Sequence, residues 1–100
     1  MPEHRVASLT DIPPGRGREF RVADRIIAIW NIDGTFHATD ARCPHQDAPL
    51  CFGAIEGTII TCPMHGWRFD VTTGAGVDPH HHQLRPYPIH IRDDALYIDF

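Results

Sequence analysis

Nine prolines and eight glycines punctuate a chain of one hundred residues, and this spacing rules out helix almost everywhere. Proline lacks a backbone N–H and its ring collides with the preceding turn of a helix. Pro13-Pro14, Pro44, Pro49, Pro63, Pro79, Pro86 and Pro88 therefore interrupt every candidate before an apolar helical period can run for the ~8 residues a globular helix needs. Short strands joined by turns remain, and the expected fold class is all-β. The composition, 42% hydrophobic and 22% charged, is that of an ordinary globular domain, which excludes wholesale disorder. One hundred residues make one domain, expected to span 1–100 with a radius of gyration near ~13 Å.

The strand signals are local. Phe20 to Val22 and Ile26 to Ile32 read as strands, and Asp33-Gly34 followed by Thr35 to Ala38 reads as a two-residue hairpin. Ile55-Glu56-Gly57-Thr58 leads into Ile59-Ile60-Thr61 as a second hairpin, and Trp67 to Val71 forms a further strand closed by Thr72-Thr73-Gly74. Near the end, Ile89 and Ile91 alternate with His90 and Arg92. Beyond an Asp93-Asp94 turn, Leu96, Ile98 and Phe100 alternate with Tyr97 and Asp99, which is the period of two of a half-buried strand. Strands at both ends are expected to pair into a base sheet, while residues from about 42 to 80 form a loop-rich excursion.

Charge narrows the partners. Nine basic residues, all arginine, face thirteen acidic ones for a net charge of -4, so nucleic acid is not an expected partner. No apolar run approaches the ~20 residues of a membrane span, and the opening Met-Pro-Glu-His-Arg-Val lacks the apolar core of a secretory signal. A cytoplasmic protein away from the membrane is expected. In that reducing compartment three cysteines (Cys43, Cys51 and Cys62) bind metal or stay as thiols more often than they form bridges.

Two of those cysteines sit in matched pairs. Cys43-Pro44-His45 and Cys62-Pro63-Met64-His65 are a C-x-H and a C-x-x-H, separated by sixteen residues that hold a hairpin signal. Folding that hairpin brings the two loops face to face, so two thiolates and two imidazoles can converge. Two metals compete for such a set. A structural zinc site also takes two Cys and two His, but usually with like ligands grouped. In a Rieske 2Fe-2S centre two His replace two Cys on one iron, so each loop can give its Cys to one iron and its His to the other. The mixed pairs suit that division better.

With C-x-H, sixteen residues, then C-x-x-H-G-W, the sequence resembles the Rieske family closely. The resemblance extends to the Gly53 to Gly57 region, Phe69-Asp70-x-x-Thr73-Gly74, the Pro79 loop, Tyr87-Pro88-Ile89 and Tyr97 to Phe100. It implies a Rieske fold: a small antiparallel, sandwich-like β base and a cluster-binding subdomain whose two ligand loops are covered by a third, Pro-containing loop, here Asp78 to His82. It also implies that one 2Fe-2S cluster is bound by Cys43 and Cys62 on the buried iron and by His45 and His65 on the outer one. Two ferric ions, two sulfides and two thiolates sum to a neutral oxidised centre, and one electron adds a single negative charge. That suits electron transfer without bond making.

Within the family this chain departs from the members of respiratory complexes. Met64 stands where they carry a disulfide-forming Cys, and Cys51 has no partner once the ligands are counted, so it is expected to be a buried small thiol. Trp67 and Phe69 stand where high-potential members place hydroxyl donors, and fewer donors to sulfur predict a potential toward the low end of the roughly -150 to +300 mV Rieske range. Ferric iron should acidify the outer N–H groups of His45 and His65, lowering the potential at alkaline pH. His80, His81 and His82 are expected to be solvated, and His4, His37 and His90 structural or solvated. Trp67 is expected to pack beneath the cluster loop. Pro44, Gln46, Met64 and Pro79 are expected to make a small apolar electron exit.

The function implied is that of a ferredoxin component, with no catalytic residue of its own. It would pass single electrons from a flavin-dependent reductase to the terminal oxygenase of an aromatic ring-hydroxylating dioxygenase system, in transient encounters steered by its negative charge. A chain of this length is expected to leave no room for a mononuclear iron domain. The alternatives are a Rieske-like small subunit of an assimilatory nitrite reductase and a structural zinc module.

Overall fold

A computed structural model describes residues 3–43, 49–64, 66–78 and 82–100. Eleven strands, β1 (Glu3–Ser8), β2 (Arg16–Val22), β3 (Arg25–Ile32), β4 (Thr35–Asp40), β5 (Ala54–Glu56), β6 (Ile59–Thr61), β7 (Arg68–Asp70), β8 (Gly76–Asp78), β9 (Pro86–Tyr87), β10 (Ile89–Arg92) and β11 (Ala95–Asp99), account for its regular structure, with single 3-10 turns at Leu9–Asp11 and Leu50–Phe52. The all-β expectation is borne out, and the radius of gyration is 12.5 Å.

The strands form three antiparallel sheets, ordered β1-β11-β10, β2-β3-β4-β9 and β5-β6-β7-β8. The first shows the two ends of the chain paired, with Glu3 opposite Asp99 and Ser8 opposite Ala95. The β3–β4 hairpin turns at Asp33-Gly34, both at positive φ (53° and 90°), as a two-residue turn matched to strand twist requires.

β3 explains how one short chain builds two cores. Its middle residues are buried on both faces, and alternation divides them. Ile27 and Ile29 join Ala7, Ile12, Val22, Ala38, Tyr87, Leu96 and Ile98 in a core between the first two sheets. Ala28 and Trp30 face the other way, into a core with Ala41, Cys43, Leu50, Ile60, Cys62, Phe69, Val71 and Leu84. Two polar groups that β3 carries inward are bonded: the Trp30 indole N–H donates to Thr39 Oγ1 at 2.9 Å, and the Asn31 amide donates to the Ile12 carbonyl at 2.8 Å.

Three details differ from the sequence expectations. β2 reaches back to Arg16, a polar segment whose solvated face hides its strand character. The strand at Trp67 to Val71 contracts to Arg68–Asp70. Ile91, expected on a buried face by alternation, is 54% exposed on the edge strand β10.

Candidate metal centre

The first cysteine loop leaves the end of β4. Its root is closed by a bridge between Arg42 and Pro49 and by the Leu50 N–H donating to the Ala41 carbonyl at 3.0 Å. Arg42 is also tied sideways to β2, with Nη2 donating to Glu19 Oε1 at 3.1 Å and Nε 3.0 Å from Oε2. One charge-assisted hydrogen bond and one ion-pair contact thus tie the guanidinium to the carboxylate. The residue that follows, Cys43, is 1% exposed.

The second loop leaves β6 and returns into β7. The Cys62 N–H donates to the Trp67 carbonyl at 2.6 Å and the Gly66 N–H donates to the Cys62 carbonyl at 3.1 Å, closing a turn that needs Gly66 at φ 73°. Cys62 is also 1% exposed. The β5–β6 hairpin, with Ile55 opposite Ile60, carries the two loops to the same end of the fold. Gly53 makes the approach possible, since a Cβ there would collide with the backbone carbonyl of Thr61, one residue before Cys62.

Cys43 and Cys62 thus enter one core from loops far apart in sequence, and the structure joins none of the three cysteines in a disulfide. His45 and His65 lie outside the described residues, as do Pro44, Gln46, Pro79, His80 and His81. Met64 is 65% exposed, as expected of a loop tip. Phe52, 81% exposed at the end of the Leu50–Phe52 turn, is an apolar surface residue that sequence reasoning missed. Its only signal was a large hydrophobe directly before a glycine.

Trp67 packs partly buried against this core, as expected. His82, expected to be solvated, is half-buried with its ring stacked on Trp67. Cys51 is half-buried and its thiol is pushed up to about 12, first by burial and then by the Glu19 carboxylate, with Arg42 opposing. It is an un-ionised thiol with little nucleophilic character.

The Phe69-Asp70-x-x-Thr73-Gly74 segment is a fastener. Asp70 Oδ1 accepts from the Thr72 N–H at 2.9 Å and from its hydroxyl at 2.6 Å, while the Gly74 N–H donates to the Asp70 carbonyl at 2.7 Å. The Gly74 carbonyl then accepts the Leu84 N–H at 2.7 Å, and a Cβ at Gly74 (φ 80°) would strike the Leu84 carbonyl. Buried Leu84 is thereby held in the core that contains both cysteines. On the other side of the segment, the Tyr87 hydroxyl donates to Asp40 Oδ1 at 2.6 Å and accepts from Arg25 Nη1 at 3.1 Å.

Residues 3–88 match the family described as the Rieske [2Fe-2S] domain. The ferredoxin component of the naphthalene 1,2-dioxygenase/salicylate 5-hydroxylase systems of Ralstonia sp is 38% identical over 87% of this chain and 85% of its own. Among solved structures, the Sphingomonas yanoikuyae B1 ferredoxin superposes with a TM-score of 0.91, 33% identity and 99% of each chain covered. A structure described as a complex of reduced oxygenase and oxidized ferredoxin in carbazole 1,9a-dioxygenase gives 0.87 and 30% identity over 96% of this chain and 91% of the matched one. A structure described as a nitrite reductase small subunit reaches 0.86 at only 18% identity, a likeness of fold alone. With two buried thiols delivered by paired loops and a family match over most of its length, the chain belongs to the Rieske 2Fe-2S family.

Proposed function

We propose that this protein is a cytoplasmic one-electron carrier, taking electrons from a flavin-dependent reductase and delivering them to the terminal oxygenase of an aromatic ring-hydroxylating dioxygenase system. The observation that carries this reading is the near full-length similarity to a ferredoxin component of such a system. The whole chain, 1–100, acts as one Rieske module, with the cluster-bearing subdomain from about 42 to 80. Among the described residues no helix is long and apolar enough to cross a membrane.

The 2Fe-2S cluster supplies a one-electron couple when bound. The residues present fit it: Cys43 and Cys62, both 1% exposed within one core, offer two thiols shielded from water, and no disulfide consumes either. Cys43 and Cys62 would ligate one of its irons, and His45 and His65 the other. The Arg42–Glu19 pair and the Cys62–Trp67 backbone bond keep the two loop roots in place, so little of the protein has to move when an electron arrives. Met64 and Phe52 add exposed apolar surface at the loop ends for brief contacts with a partner. A net charge of -4 steers the carrier toward basic surfaces, and reductase turnover should slow as salt rises.

Phe69, fully buried, and Trp67 bring no hydroxyl to the cluster's surroundings, so the midpoint potential falls toward the low end of the roughly -150 to +300 mV Rieske range. Protein-film voltammetry measures it, and a midpoint well above zero contradicts the assignment of those positions. The function is tested by analysis of the purified protein for iron and acid-labile sulfide, then by reconstitution with candidate reductases and oxygenases. Two iron and two sulfide per chain with ferredoxin-dependent product formation are expected. A colourless protein binding zinc, or stable co-purification with a siroheme enzyme, would overturn the reading.

A further inference from the structure

The triple-histidine run of the sequence has one described member, and its contact is not used by the electron-transfer reading. The His82 imidazole lies against the Trp67 indole with ring centroids 4.1 Å apart and planes inclined by 29°. Trp67 is bonded to Cys62 through the backbone, its carbonyl accepting the Cys62 N–H at 2.6 Å. The far side of the contact is anchored as well. Leu84, two residues after His82, is buried in the core that contains Cys43 and Cys62 and bonded to the Gly74 carbonyl at 2.7 Å. The His82 ring therefore projects from a fixed segment onto the residue that closes the Cys62 turn.

We propose that His82 is a positioning residue: by stacking on Trp67 it clasps the segment after residue 81 onto the turn 62–67, holding the geometry in which Cys62 meets the cluster and limiting the water that reaches it. The proposal rests on the assignment of Cys62 as a ligand. The working part is the flat ring, because a stacked pair gains from area and face-to-face geometry. A phenyl ring at position 82 should then serve nearly as well as imidazole, and a methyl group should not.

The test compares wild-type holoprotein with His82→Ala and His82→Phe, reading anaerobic loss of the visible band to a ferrous chelator and the midpoint potential. His82→Ala should lose its cluster roughly fivefold faster, the factor expected for one ring pair, while His82→Phe stays within about twofold of wild type. The alanine variant's potential should also rise, because added water favours the reduced, more negative centre, whereas the phenylalanine variant's should not move. If His82→Ala fails to assemble a cluster and His82→Phe assembles one, the proposal is likewise supported. It is overturned if His82→Ala matches wild type in both readouts, if His82→Phe is as labile as His82→Ala, or if neither variant assembles. Wild-type protein purified without iron and sulfide is a separate failure, that of the ligand assignment, and takes the proposal with it.

Discussion

β3 separates two cores of different construction. On one face, Ile27 and Ile29 meet Leu96 and Ile98 between two sheets, and aliphatic packing accounts for the contacts. On the other, Trp30 and Phe69 surround two thiols, and the elements that enclose them are loops held by individual bonds and close backbone approaches: Arg42 to Glu19, Cys62 to Trp67, Leu84 to Gly74, and Gly53 against Thr61. The first core depends on apolar volume, which many sequences supply. The second depends on particular groups in particular places, and a 2Fe-2S cluster, which binds the folded protein and not the unfolded chain, adds to the stability of the whole.

The largest effect should come from removing a thiol. Cys43→Ser or Cys62→Ser should abolish the visible spectrum of the cluster. Amide exchange should then quicken across β5 to β8 while β2, β3 and β4 keep their protection. If protection were lost uniformly instead, the two cores would be one cooperative unit. On the other side of β3, Ile29→Ala should destabilise the fold by about 2–5 kcal/mol in chemical denaturation, yet leave the absorption spectrum of the folded fraction unchanged.

Gly53→Ala probes the tip without touching a thiol. Its φ of -81° suits alanine, so any cost is purely the collision with the Thr61 carbonyl. About 1–3 kcal/mol of destabilisation is expected, with impaired cluster retention as the sign that the strain reaches Cys62. Wild-type cluster stability in that variant would mean that the two loops approach one another less closely than the backbone positions require.

How much of this was legible in the sequence follows the same division. Turns announced themselves, because Asp33-Gly34 and Asp93-Asp94 are residues that tolerate positive φ. The Ile-rich run of β3 and the alternation of β11 were equally plain. The matched Cys-His pairs point to a meeting of two loops, and Cys43 and Cys62 do share one core, while His45 and His65 lie outside the described residues. Hidden from view were the short strands β8 and β9, which consist of three and two residues and take their conformation from neighbours, not from propensity. The exposure of Ile91 was hidden too, since alternation gives a face but not where the sheet ends. The Asp70–Gly74 turn was recognisable as a motif, but its task of holding Leu84 depends on a contact ten residues away. His82 was misread because three adjacent histidines look uniform in sequence, whereas stacking on Trp67 singles one out.

Cys51 lies between the two regimes, near the Arg42–Glu19 pair that roots the first loop. Its thiol, ordinarily near 9.0, is pushed up to about 12 in the fold, chiefly by burial. The unfolded chain therefore ionises first as pH rises, and stability that is intact below the ordinary value drains away between 9.0 and about 12. Cys51→Ala should flatten that alkaline decline in denaturant titrations from pH 8 to 11 and leave neutral behaviour nearly unchanged. An unaltered decline would show that another group governs it.

The smallest effect belongs wholly to the base. Glu3 on β1 reaches past β11 to β10, where Arg92 and then His90 donate to its carboxylate and hold it below the usual carboxylate range. A depressed acid contributes stability above its unfolded-state titration, and that contribution disappears as pH falls through the folded value, when the carboxylate takes up a proton and the pair is lost. Glu3→Gln should therefore lower the melting temperature at neutral pH by no more than ~3 °C, because the pair is exposed and screened, and the gap to wild type should close in acid. The cluster spectrum should be unaffected throughout. If the gap persisted in acid, the glutamate would be acting by packing and not by charge. If cluster retention fell with it, strain at the far sheet would be reaching the cysteine core through β3, and the two cores would be less independent than their chemistry suggests.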